Sequence, residues 1–375
     1  MQFQELGLTQ PLLGGLSQYP SATPVQEGVI PPMLAGKDVI AQWQTGSGKT
    51  LAYLLPLYQR QEAVIPKGAQ AIILVPTREL AMQIHHEVQR LSRESGIGLQ
   101  SVVLFGNVNI NTQIERLKEK PQIIIGTCER VLALIQKKKI AAHTVKTFLV
   151  DEADKLLDKQ SISALKAVRK TCMKDTQTVM VSATFAPEEM EAALKMTHDP
   201  VVLRSSESEI PPTITHQFLV CDKRDKLDNL RRLIRIMEPP KSMIFINDLE
   251  QINLAVQKLQ YHEVPCDCIH SDSSKEERRR HLTDFKEGKL QHLVTTDLGA
   301  RGLHIDDVPL IFHVDIAESP TDYLHRAGRT GRSGKDGLSI CFISPHEEVF
   351  LKKYRSKLGV QFEEIATREG EIYKK

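Results

Sequence analysis

Short apolar runs alternate with helical patterns along the first half of the chain. The runs lie at residues 71–75, 102–105, 123–126, 148–150, 178–181 and 201–203. Such alternation is typical of a parallel sheet covered by helices on both faces. The same rhythm restarts in the second half, with runs at 243–246, 264–269, 292–295, 310–314 and 338–343. The pattern therefore predicts two α/β domains of similar architecture.

A polar segment separates the two halves. Residues 204–212 (Arg-Ser-Ser-Glu-Ser-Glu-Ile-Pro-Pro) lack hydrophobic periodicity and end in two prolines, which disfavour a helix. A chain of 375 residues also suits two domains of roughly 150 to 200 residues better than a single core. We therefore expect an N-terminal domain at 1–204, a linker at 205–212 and a C-terminal domain at 213–375.

Composition narrows the class of protein. The 49 basic and 47 acidic residues leave a net charge of only +2, so a polyanionic partner must be held by local patches. No apolar run approaches the roughly 18 residues of a membrane span, and the N-terminus lacks the pattern of a signal peptide. The six cysteines are scattered, which suits a reducing compartment. We expect a cytoplasmic protein.

One group of residues has the composition of a metal site. It comprises His262, Cys266, Cys268 and His270. However, alternation along a strand at 264–269 puts Cys266, Cys268 and His270 on one side without any metal. We favour the buried strand.

Residues 44–50 (Gln-Thr-Gly-Ser-Gly-Lys-Thr) have the composition of a phosphate-binding loop. Glycines let backbone N–H groups approach a phosphate, Lys49 supplies positive charge, and Thr50 supplies a hydroxyl for Mg²⁺. A short apolar strand at 38–41 precedes the loop, and a helical pattern follows whose N-terminus faces the anion. The residues expected to hold the nucleotide phosphates are Thr45, Gly46, Ser47, Gly48, Lys49 and Thr50.

Acidic residues follow another apolar run. The strand predicted at 147–150 leads directly into Asp-Glu-Ala-Asp at 151–154. Such a strand delivers its carboxylates to the edge of the sheet where ligands of α/β proteins bind. Asp151 would contact Mg²⁺, usually through water, and Glu152 would accept a proton from the attacking water or orient it. Alone, these residues suit a solvated acidic turn, but together with the Lys49 loop they favour a nucleotide-hydrolysing site.

In this order, the motifs resemble those of the DEAD-box RNA helicases of superfamily 2. Besides 44–50 and 151–154, the chain has Pro-Thr-Arg-Glu-Leu-Ala at 76–81, Ser-Ala-Thr at 182–184 and His-Arg-Ala-Gly-Arg-Thr-Gly-Arg at 325–332. The resemblance spans essentially the whole chain. It implies two tandem RecA-like domains without extensions, each a mainly parallel sheet flanked by helices, that close together on ATP, Mg²⁺ and RNA. The implied activity is RNA-stimulated ATP hydrolysis coupled to local duplex unwinding or ribonucleoprotein remodelling.

The resemblance also implies roles for individual residues. Tyr19 would stack on adenine, Gln26 would hydrogen-bond its edge, and Gly302 and His304 would lie near the ribose. The implied coupling residues are Ser182, Thr184, Asp297 and Arg301. The implied metal-binding residues are Thr50 and Asp151.

Arginines of the second domain would complete the catalytic set of Lys49, Asp151 and Glu152. Hydrolysis builds negative charge on the γ-phosphate, and an arginine supplied on closure accelerates that step by roughly 10³ to 10⁵. The candidates are Arg329 and Arg332, whose spacing predicts one helical face shared with His325. A basic helix face on its own is often only solvated.

RNA contacts are implied on both domains. The residues are Thr77, Arg78, Gly106, Thr127 and Arg130 in the first domain, and Arg278, Thr296 and Gly299 in the second. Recognition would be of phosphates and 2′-hydroxyls, independent of base sequence, because aromatic residues are only 5% of the chain and too few for a long stacking platform. We expect a monomer that depends on partners such as ribosomal or other ribonucleoprotein proteins for its choice of RNA.

Several positions depart from the family pattern. Trp43 stands where the phosphate loop usually begins with a small residue, and its ring must either pack into the domain or crowd the phosphates. Glu129 adds negative charge where a phosphate is expected, and His304 replaces an aspartate that meets the ribose. These three departures favour an alternative, an ATP-gated RNA clamp that unwinds little. A DNA-directed motor is disfavoured by Gln26 and by the acidic motif at 151–154.

Overall fold

The computed structural model describes residues 1–43, 46–61, 67–106, 108–205, 212–270, 272–300, 305, 308–331, 335–368 and 370–375. Five predicted site residues lie outside this part of the chain: Thr45, Arg301, Gly302, His304 and Arg332. The chain divides into two compact units, Met1–Ser206 and Glu207–Lys375. This division falls inside the expected linker, but residues 206–211 are also outside the described part, so the domain boundaries stay predictions.

A parallel sheet forms the centre of the first unit. Its described strands are β1 (Val39–Gln42), β2 (Ala71–Leu74), β3 (Ser101–Leu104), β4 (Ile123–Gly126), β5 (Thr147–Asp151), β6 (Gln177–Ser182) and β7 (Val201–Arg204). They are ordered β3-β4-β2-β5-β6-β1-β7, and neighbouring strands are parallel. The carboxyl ends of these strands therefore meet at one edge, where the predicted motifs follow them.

Helices cover both faces of this sheet. They are α1 (Gln10–Gly14), α2 (Pro24–Leu34), α3 (Lys49–Gln61), α4 (Arg78–Ser95), α5 (Ile110–Leu117), α6 (Cys128–Gln136), α7 (Ala153–Leu156), α8 (Ile162–Thr171) and α9 (Pro187–Met196). Alternate strand residues point to opposite faces. Val39 and Ala41 thus pack in a core with α1 to α4, whereas Ile40 packs in a second core with α6, α8 and α9.

The second unit repeats this architecture. Its described strands are β8 (Ile214–Val220), β9 (Ser242–Phe245), β10 (Cys266–Ile269), β11 (His292–Thr295), β12 (Leu310–His313), β13 (Gly337–Ile343), β14 (Phe362–Arg368) and β15 (Glu371–Lys374). They are ordered β10-β11-β9-β12-β13-β8-β14-β15, and only the β14–β15 pair is antiparallel among the described pairings. The helices are α10 (Lys226–Met237), α11 (Leu249–Tyr261), α12 (Lys275–Glu287), α13 (Asp297–Ala300), α14 (Pro320–Ala327) and α15 (Glu348–Leu358).

The expected fold class, two mainly parallel sheets flanked by helices, is confirmed. Each predicted run falls on a strand to within two residues, whereas β8, β14 and β15 were not predicted. Cys266 and Cys268 lie on β10, as the strand interpretation requires. Within the described ranges, no group of three or more histidine, cysteine, aspartate or glutamate side chains could hold a metal ion. In the same ranges, no helix combines the length and apolar character needed to cross a membrane.

Buried histidines make the second unit sensitive to acid. Burial lowers the pKa of His216 and of His292 to about 4. His216 Nδ1 shares a hydrogen bond with the Tyr323 hydroxyl, and His292 Nδ1 shares one with Ser242. Between pH 6.5 and 4 the unfolded chain therefore binds more protons than the folded chain, so stability is full above pH 6.5 and is lost on acidification.

We expect acidification from pH 6.5 to 5 to lower the free energy of unfolding by about 2 kcal/mol for each of these two histidines. Urea unfolding followed by circular dichroism at several pH values measures this loss. His292→Gln keeps a partner for Ser242 but cannot titrate, so it should remove this histidine's share of the acid-induced loss, about 2 kcal/mol. The same pH slope in His292→Gln and in the unsubstituted chain would contradict the assignment.

Candidate functional site

The carboxyl edge of the first sheet gathers the residues predicted to handle the nucleotide. The phosphate loop follows β1, and Lys49 begins α3. Asp151 is the last residue of β5, and Ser182 is the last residue of β6. Because β6 lies between β5 and β1, the acidic residues and the phosphate loop are only two strands apart.

A tyrosine on α3 joins the phosphate loop to the acidic residues. Tyr53 is completely buried, and its hydroxyl donates a hydrogen bond of 2.8 Å to Oδ2 of Asp151. The Thr50 side chain also hydrogen-bonds this hydroxyl. Sequence reasoning missed Tyr53, although its position three residues after Thr50 puts both on one side of the helix.

The charge of Asp151 depends on its neighbours. Burial raises the pKa of its carboxyl, and the Lys49 ammonium and the Tyr53 hydrogen bond oppose that rise. Oδ1 of Asp151 accepts a hydrogen bond of 2.9 Å from the backbone N–H of Glu152. Lys49 is itself buried and donates to the backbone carbonyl of Trp43. The cation therefore favours the ionised carboxylate, which is the form that binds a metal.

Glu152 has an uncommon backbone conformation. Its φ of 50° and ψ of 53° lie in the left-handed region, which is unfavourable for residues other than glycine. The residue joins β5 directly to α7, so the chain must turn sharply here. Strained residues that are held by rigid elements cluster at functional sites. This conformation forms the sharp turn, and the catalytic role of Glu152 stays a prediction.

The last residue of the acidic motif contacts the Ser-Ala-Thr motif. The Ser182 hydroxyl donates to Oδ1 of Asp154 at 2.7 Å and accepts from the Asp154 N–H at 3.3 Å. The hydroxyl of Thr184 is buried and lacks a hydrogen-bond partner within the described chain. Ser182 therefore ties the acidic turn to β6, whereas the Thr184 hydroxyl makes no such bond within the described chain.

The two residues predicted to recognise adenine differ in their surroundings. Gln26 is buried, and its amide donates to the Gly48 carbonyl at 3.2 Å and accepts from the Thr23 N–H at 2.9 Å. Gly48 has a φ of +94°, and a Cβ there would lie 2.5 Å from Nε2 of Gln26, so both the backbone and the space require glycine. Gln26 thus touches the phosphate loop directly.

Tyr19 is partly buried and packs against the core of the first unit. The Arg90 guanidinium lies 5.6 Å from the centre of its ring and donates to its hydroxyl at 3.4 Å. Glu87 and Glu94 hold Arg90 in turn. Arg90 belongs to α4, so the helix that begins with the predicted RNA-binding residue Arg78 also contacts the predicted adenine-binding residue.

Trp43 packs into the domain. Its ring contacts the core formed with α1 to α4, and its Cη2 lies 3.7 Å from the position that a Cβ on Gly28 would occupy. Gly28 is on α2, so the Trp43 ring lies against this helix of the domain. The ring was expected either to pack into the domain or to crowd the phosphates, and these contacts support packing into the domain.

We expect Trp43→Ala to destabilise the first unit by about 2 kcal/mol, less than a fully buried tryptophan because the ring is only partly buried. Affinity for ATP should stay within about twofold, since the ring packs against the core of the first unit. Urea unfolding by circular dichroism and ATP titration measure the two quantities. Tighter ATP binding without loss of stability would instead indicate crowding of the phosphates.

The predicted RNA-binding residues of the first unit are held by neighbours. The Arg78 guanidinium lies 4.5 Å from the ring centre of Phe105, the residue before Gly106. Arg130 donates to the carbonyl of Val108 at 3.1 Å. Thr77 caps α4 by accepting from the Leu80 N–H. Together with Thr127, the N-cap of α6, these residues follow β2, β3 and β4 at the same edge of the sheet.

In the second unit, three predicted RNA-binding residues lie together. Arg278 donates to the Gly299 carbonyl at 2.8 Å, and the Gly299 N–H donates to the Thr296 hydroxyl at 2.8 Å. A Cβ on Gly299 would lie 2.5 Å from the carbonyl oxygen of Ile269, so α13 approaches β10 too closely for any larger residue. These three residues were predicted individually from the sequence, and the fold brings them into one cluster.

The predicted helical face of His325, Arg329 and Arg332 is wrong for Arg329. Helix α14 contains His325 but ends at Ala327. The N–H groups of Arg329 and Thr330 then bond carbonyls only three residues back, which forms a tight turn. Gly331, with a φ of +65°, continues this turn. Arg329 is therefore presented by a turn instead of a helix.

A buried arginine that sequence reasoning missed organises the second unit's motifs. Arg326 is 1% exposed and donates to both carboxylate oxygens of Asp297, each at 2.6 Å. It also donates to the Asp315 carbonyl and to the Asn247 side chain. The predicted coupling residue Asp297 is thus fixed to α14. Such a bidentate pair is strong, and its only sequence signal is the position of Arg326 beside His325.

The residues around the phosphate loop fit Mg²⁺. The Asp151 carboxylate and the Thr50 hydroxyl offer oxygen donors, which this cation prefers, and both contact Tyr53. One carboxylate is enough, because Mg²⁺ keeps several waters and binds nucleotide phosphates as well.

Comparison with known proteins gives the family. Residues 23–193 match the model of the DEAD/DEAH box helicase domain, and residues 225–334 match that of the helicase conserved C-terminal domain. The chain is 37% identical to the DEAD-box ATP-dependent RNA helicase CshC of Bacillus cereus, over 92% of this chain and 87% of that protein. It is 38% identical to the probable ATP-dependent RNA helicase YfmL of Bacillus subtilis, over 95% and 94% of the two chains.

A solved structure agrees with these sequence matches. Saccharomyces cerevisiae Dbp5 bound to RNA and ADP–BeF₃ is 31% identical, with a TM-score of 0.86 over 97% of this chain and 95% of that one. The resemblance drawn from the motifs is therefore confirmed over nearly the full length. The chain belongs to the DEAD-box family of ATP-dependent RNA helicases.

Proposed function

We propose that this ATP-dependent RNA helicase separates short RNA duplexes locally and hydrolyses ATP with Mg²⁺ as it does so. The observation that carries the proposal is the contact between the helix of the phosphate loop and the acidic motif, in which Tyr53 bridges Thr50 and Asp151. Lys49 and Asp151 then provide a cation for the phosphates and a carboxylate for the metal. When bound, Mg²⁺ would neutralise phosphate charge during the reaction.

Glu152 acts on the attacking water in this proposal. Its carboxylate accepts the proton or orients the water, as its position at the sharp turn after Asp151 allows. Arg329 and Arg332 supply positive charge to the γ-phosphate oxygens when the two domains close, and His325 belongs to the same catalytic set. Bound ATP drives closure in this proposal. Hydrolysis and loss of phosphate therefore let the domains reopen and release RNA.

RNA is held through its sugar-phosphate backbone. Arg78 of the first unit is held against the Phe105 ring, and Arg130 and Arg278 are held by backbone carbonyls. Such positioned cations suit phosphates. Hydroxyls of Thr77, Thr127 and Thr296 suit 2′-hydroxyl recognition, which distinguishes RNA from DNA. If matched single-stranded DNA stimulated ATP hydrolysis as much as RNA does, the proposed preference for RNA would be contradicted.

The alternative is an ATP-gated RNA clamp with weak unwinding. The observation in its favour is Glu129, which is exposed in the first turn of α6 beside Thr127 and Arg130. A carboxylate there repels an approaching phosphate. A strand-displacement assay separates the two functions: multiple-turnover unwinding supports the helicase, while ATP-dependent RNA retention without unwinding supports the clamp.

We further propose that the protein acts in the cytoplasm as a monomer and that protein partners, such as those of ribosomes or other ribonucleoproteins, select its RNA. Backbone recognition carries no base sequence, which leaves selectivity to partners or location. Crosslinking in cells followed by sequencing of the bound RNA tests this proposal, and recovery of RNA without any enrichment would contradict it.

A further inference from the structure

Two tyrosines on α3 are completely buried, but only Tyr53 faces the proposed nucleotide site. Its hydroxyl donates to Oδ2 of Asp151 at 2.8 Å and hydrogen-bonds Thr50. The hydroxyl of Tyr58 instead donates to the Val88 carbonyl at 2.5 Å and shares a bond with Ser92. The same helix therefore holds one phenol at the site and a matched one away from it.

The direction of the Tyr53 bonds follows from the chemistry of the groups. An ionised carboxylate only accepts, so the single phenol proton of Tyr53 goes to Asp151. The Tyr53 oxygen then has lone pairs that accept the proton of the Thr50 hydroxyl. The bonds run from Thr50 through Tyr53 to Asp151. This arrangement turns the Thr50 proton toward Tyr53 and keeps oxygen lone pairs of Thr50 available for a cation.

We propose that Tyr53 is a positioning residue for the Mg²⁺ that accompanies the nucleotide, an inference that rests on the proposed function. It orients both residues expected at the metal, Thr50 and Asp151, without touching the metal itself. Groups that hydrogen-bond metal ligands in this way set the ligands' geometry, and their loss typically weakens metal binding by about 10-fold to 100-fold.

The phenol hydroxyl is separable from the packing of the ring. Tyr53→Phe removes one oxygen atom and keeps the aromatic ring in the core. The other oxygen of Asp151 keeps its bond from the Glu152 N–H, so the turn at the end of β5 retains a tether. Tyr58→Phe removes the same atom from the same helix away from Asp151 and is the matched control.

The test is the Mg²⁺ dependence of nucleotide binding, measured with a fluorescent ADP analogue in EDTA and at graded Mg²⁺ concentrations. For Tyr53→Phe we expect the affinity for the ADP analogue in EDTA to stay within about twofold of that of the unsubstituted chain. The Mg²⁺ concentration that gives half of the Mg²⁺-dependent increase in this affinity should rise about 10-fold. For Tyr58→Phe we expect neither quantity to change. An unchanged Mg²⁺ requirement in Tyr53→Phe, or an equal rise in Tyr58→Phe, overturns the proposal.

A second measurement uses the unsubstituted chain and does not depend on how the variants fold. In protein with ¹³Cζ-labelled tyrosine, adding Mg²⁺ to the ADP complex should shift the Tyr53 resonance and leave that of Tyr58 in place. If the chemical shift of Tyr53 does not change when Mg²⁺ is added, the proposal is overturned. If the unsubstituted chain binds no ADP at any Mg²⁺ concentration, the proposed function fails first, and the role of Tyr53 fails with it.

Discussion

Arg329→Ala is expected to slow ATP hydrolysis by about 10³-fold or more. Negative charge on the γ-phosphate oxygens grows toward the transition state, so a cation that meets them on closure lowers the barrier more than it strengthens binding. The turn after α14 holds the backbone of Arg329 through a bond to the Arg326 carbonyl at 3.1 Å. Phosphate release at saturating ATP and RNA measures the rate.

The control for this change is Arg224→Ala, which removes an arginine of the same unit whose side chain is 83% exposed. Its rate should stay within about twofold of the unsubstituted chain, as is usual for exposed positions. Affinity for an ADP analogue should remain close to normal in Arg329→Ala, which separates a catalytic role from loss of fold. A loss of less than 10-fold in the Arg329→Ala rate would contradict the assignment.

Glu152→Gln is expected to slow hydrolysis by about 10² to 10⁴-fold. Glutamine keeps the size and hydrogen-bonding reach of glutamate but cannot accept the water proton. ATP should still bind, since Lys49 and the phosphate loop are unchanged, and RNA retention in the presence of ATP should lengthen because the step that reopens the domains is blocked. Phosphate release and filter retention of labelled RNA measure the two effects.

Glu188→Gln is the matched control, because Glu188 is an exposed acid in the first turn of α9. We expect its hydrolysis rate to be unchanged. Equal rates for Glu152→Gln and Glu188→Gln would show that Glu152 takes no part in the chemistry, and the attacking water would then need another base.

Local patterns predicted most of the fold. Central strands such as β2 and β4 are buried on both faces, so they are continuous apolar runs that stand out from the helices around them. Strands β14 and β15, at one end of the second sheet, were missed because few of their residues are fully buried and their sequences mix charges with apolar residues. Strand β8 was missed because His216 and Gln217 interrupt its apolar pattern.

The site was predictable where its residues occur in compact motifs. Lys49, Asp151 and Ser182 each lie at or shortly after the carboxyl end of a strand of one sheet, and parallel strands bring such residues to one edge. Tyr53 and Arg326 were missed because their partners Asp151 and Asp297 are 98 and 29 residues away in the chain. Contacts at such separations depend on tertiary packing, which periodicity does not report.

The helical face proposed for His325 and Arg329 was wrong for a related reason. The i, i+4 spacing holds only while the helix continues, and α14 ends at Ala327 just before Gly328. Glycine disfavours a helix interior, and Gly331 then adopts the left-handed conformation that a turn needs. Gly328 and Gly331 therefore indicate a turn at this point of the motif.

We expect Asp151, Glu152 and the phosphate loop to form an ATPase that responds to RNA. The most direct test is the rate of phosphate release by the purified chain with ATP and Mg²⁺, with and without single-stranded RNA, beside Glu152→Gln. We predict that RNA raises the rate of the unsubstituted chain several-fold and that Glu152→Gln stays near the background rate. A rate with RNA no higher than that of Glu152→Gln would contradict the claim.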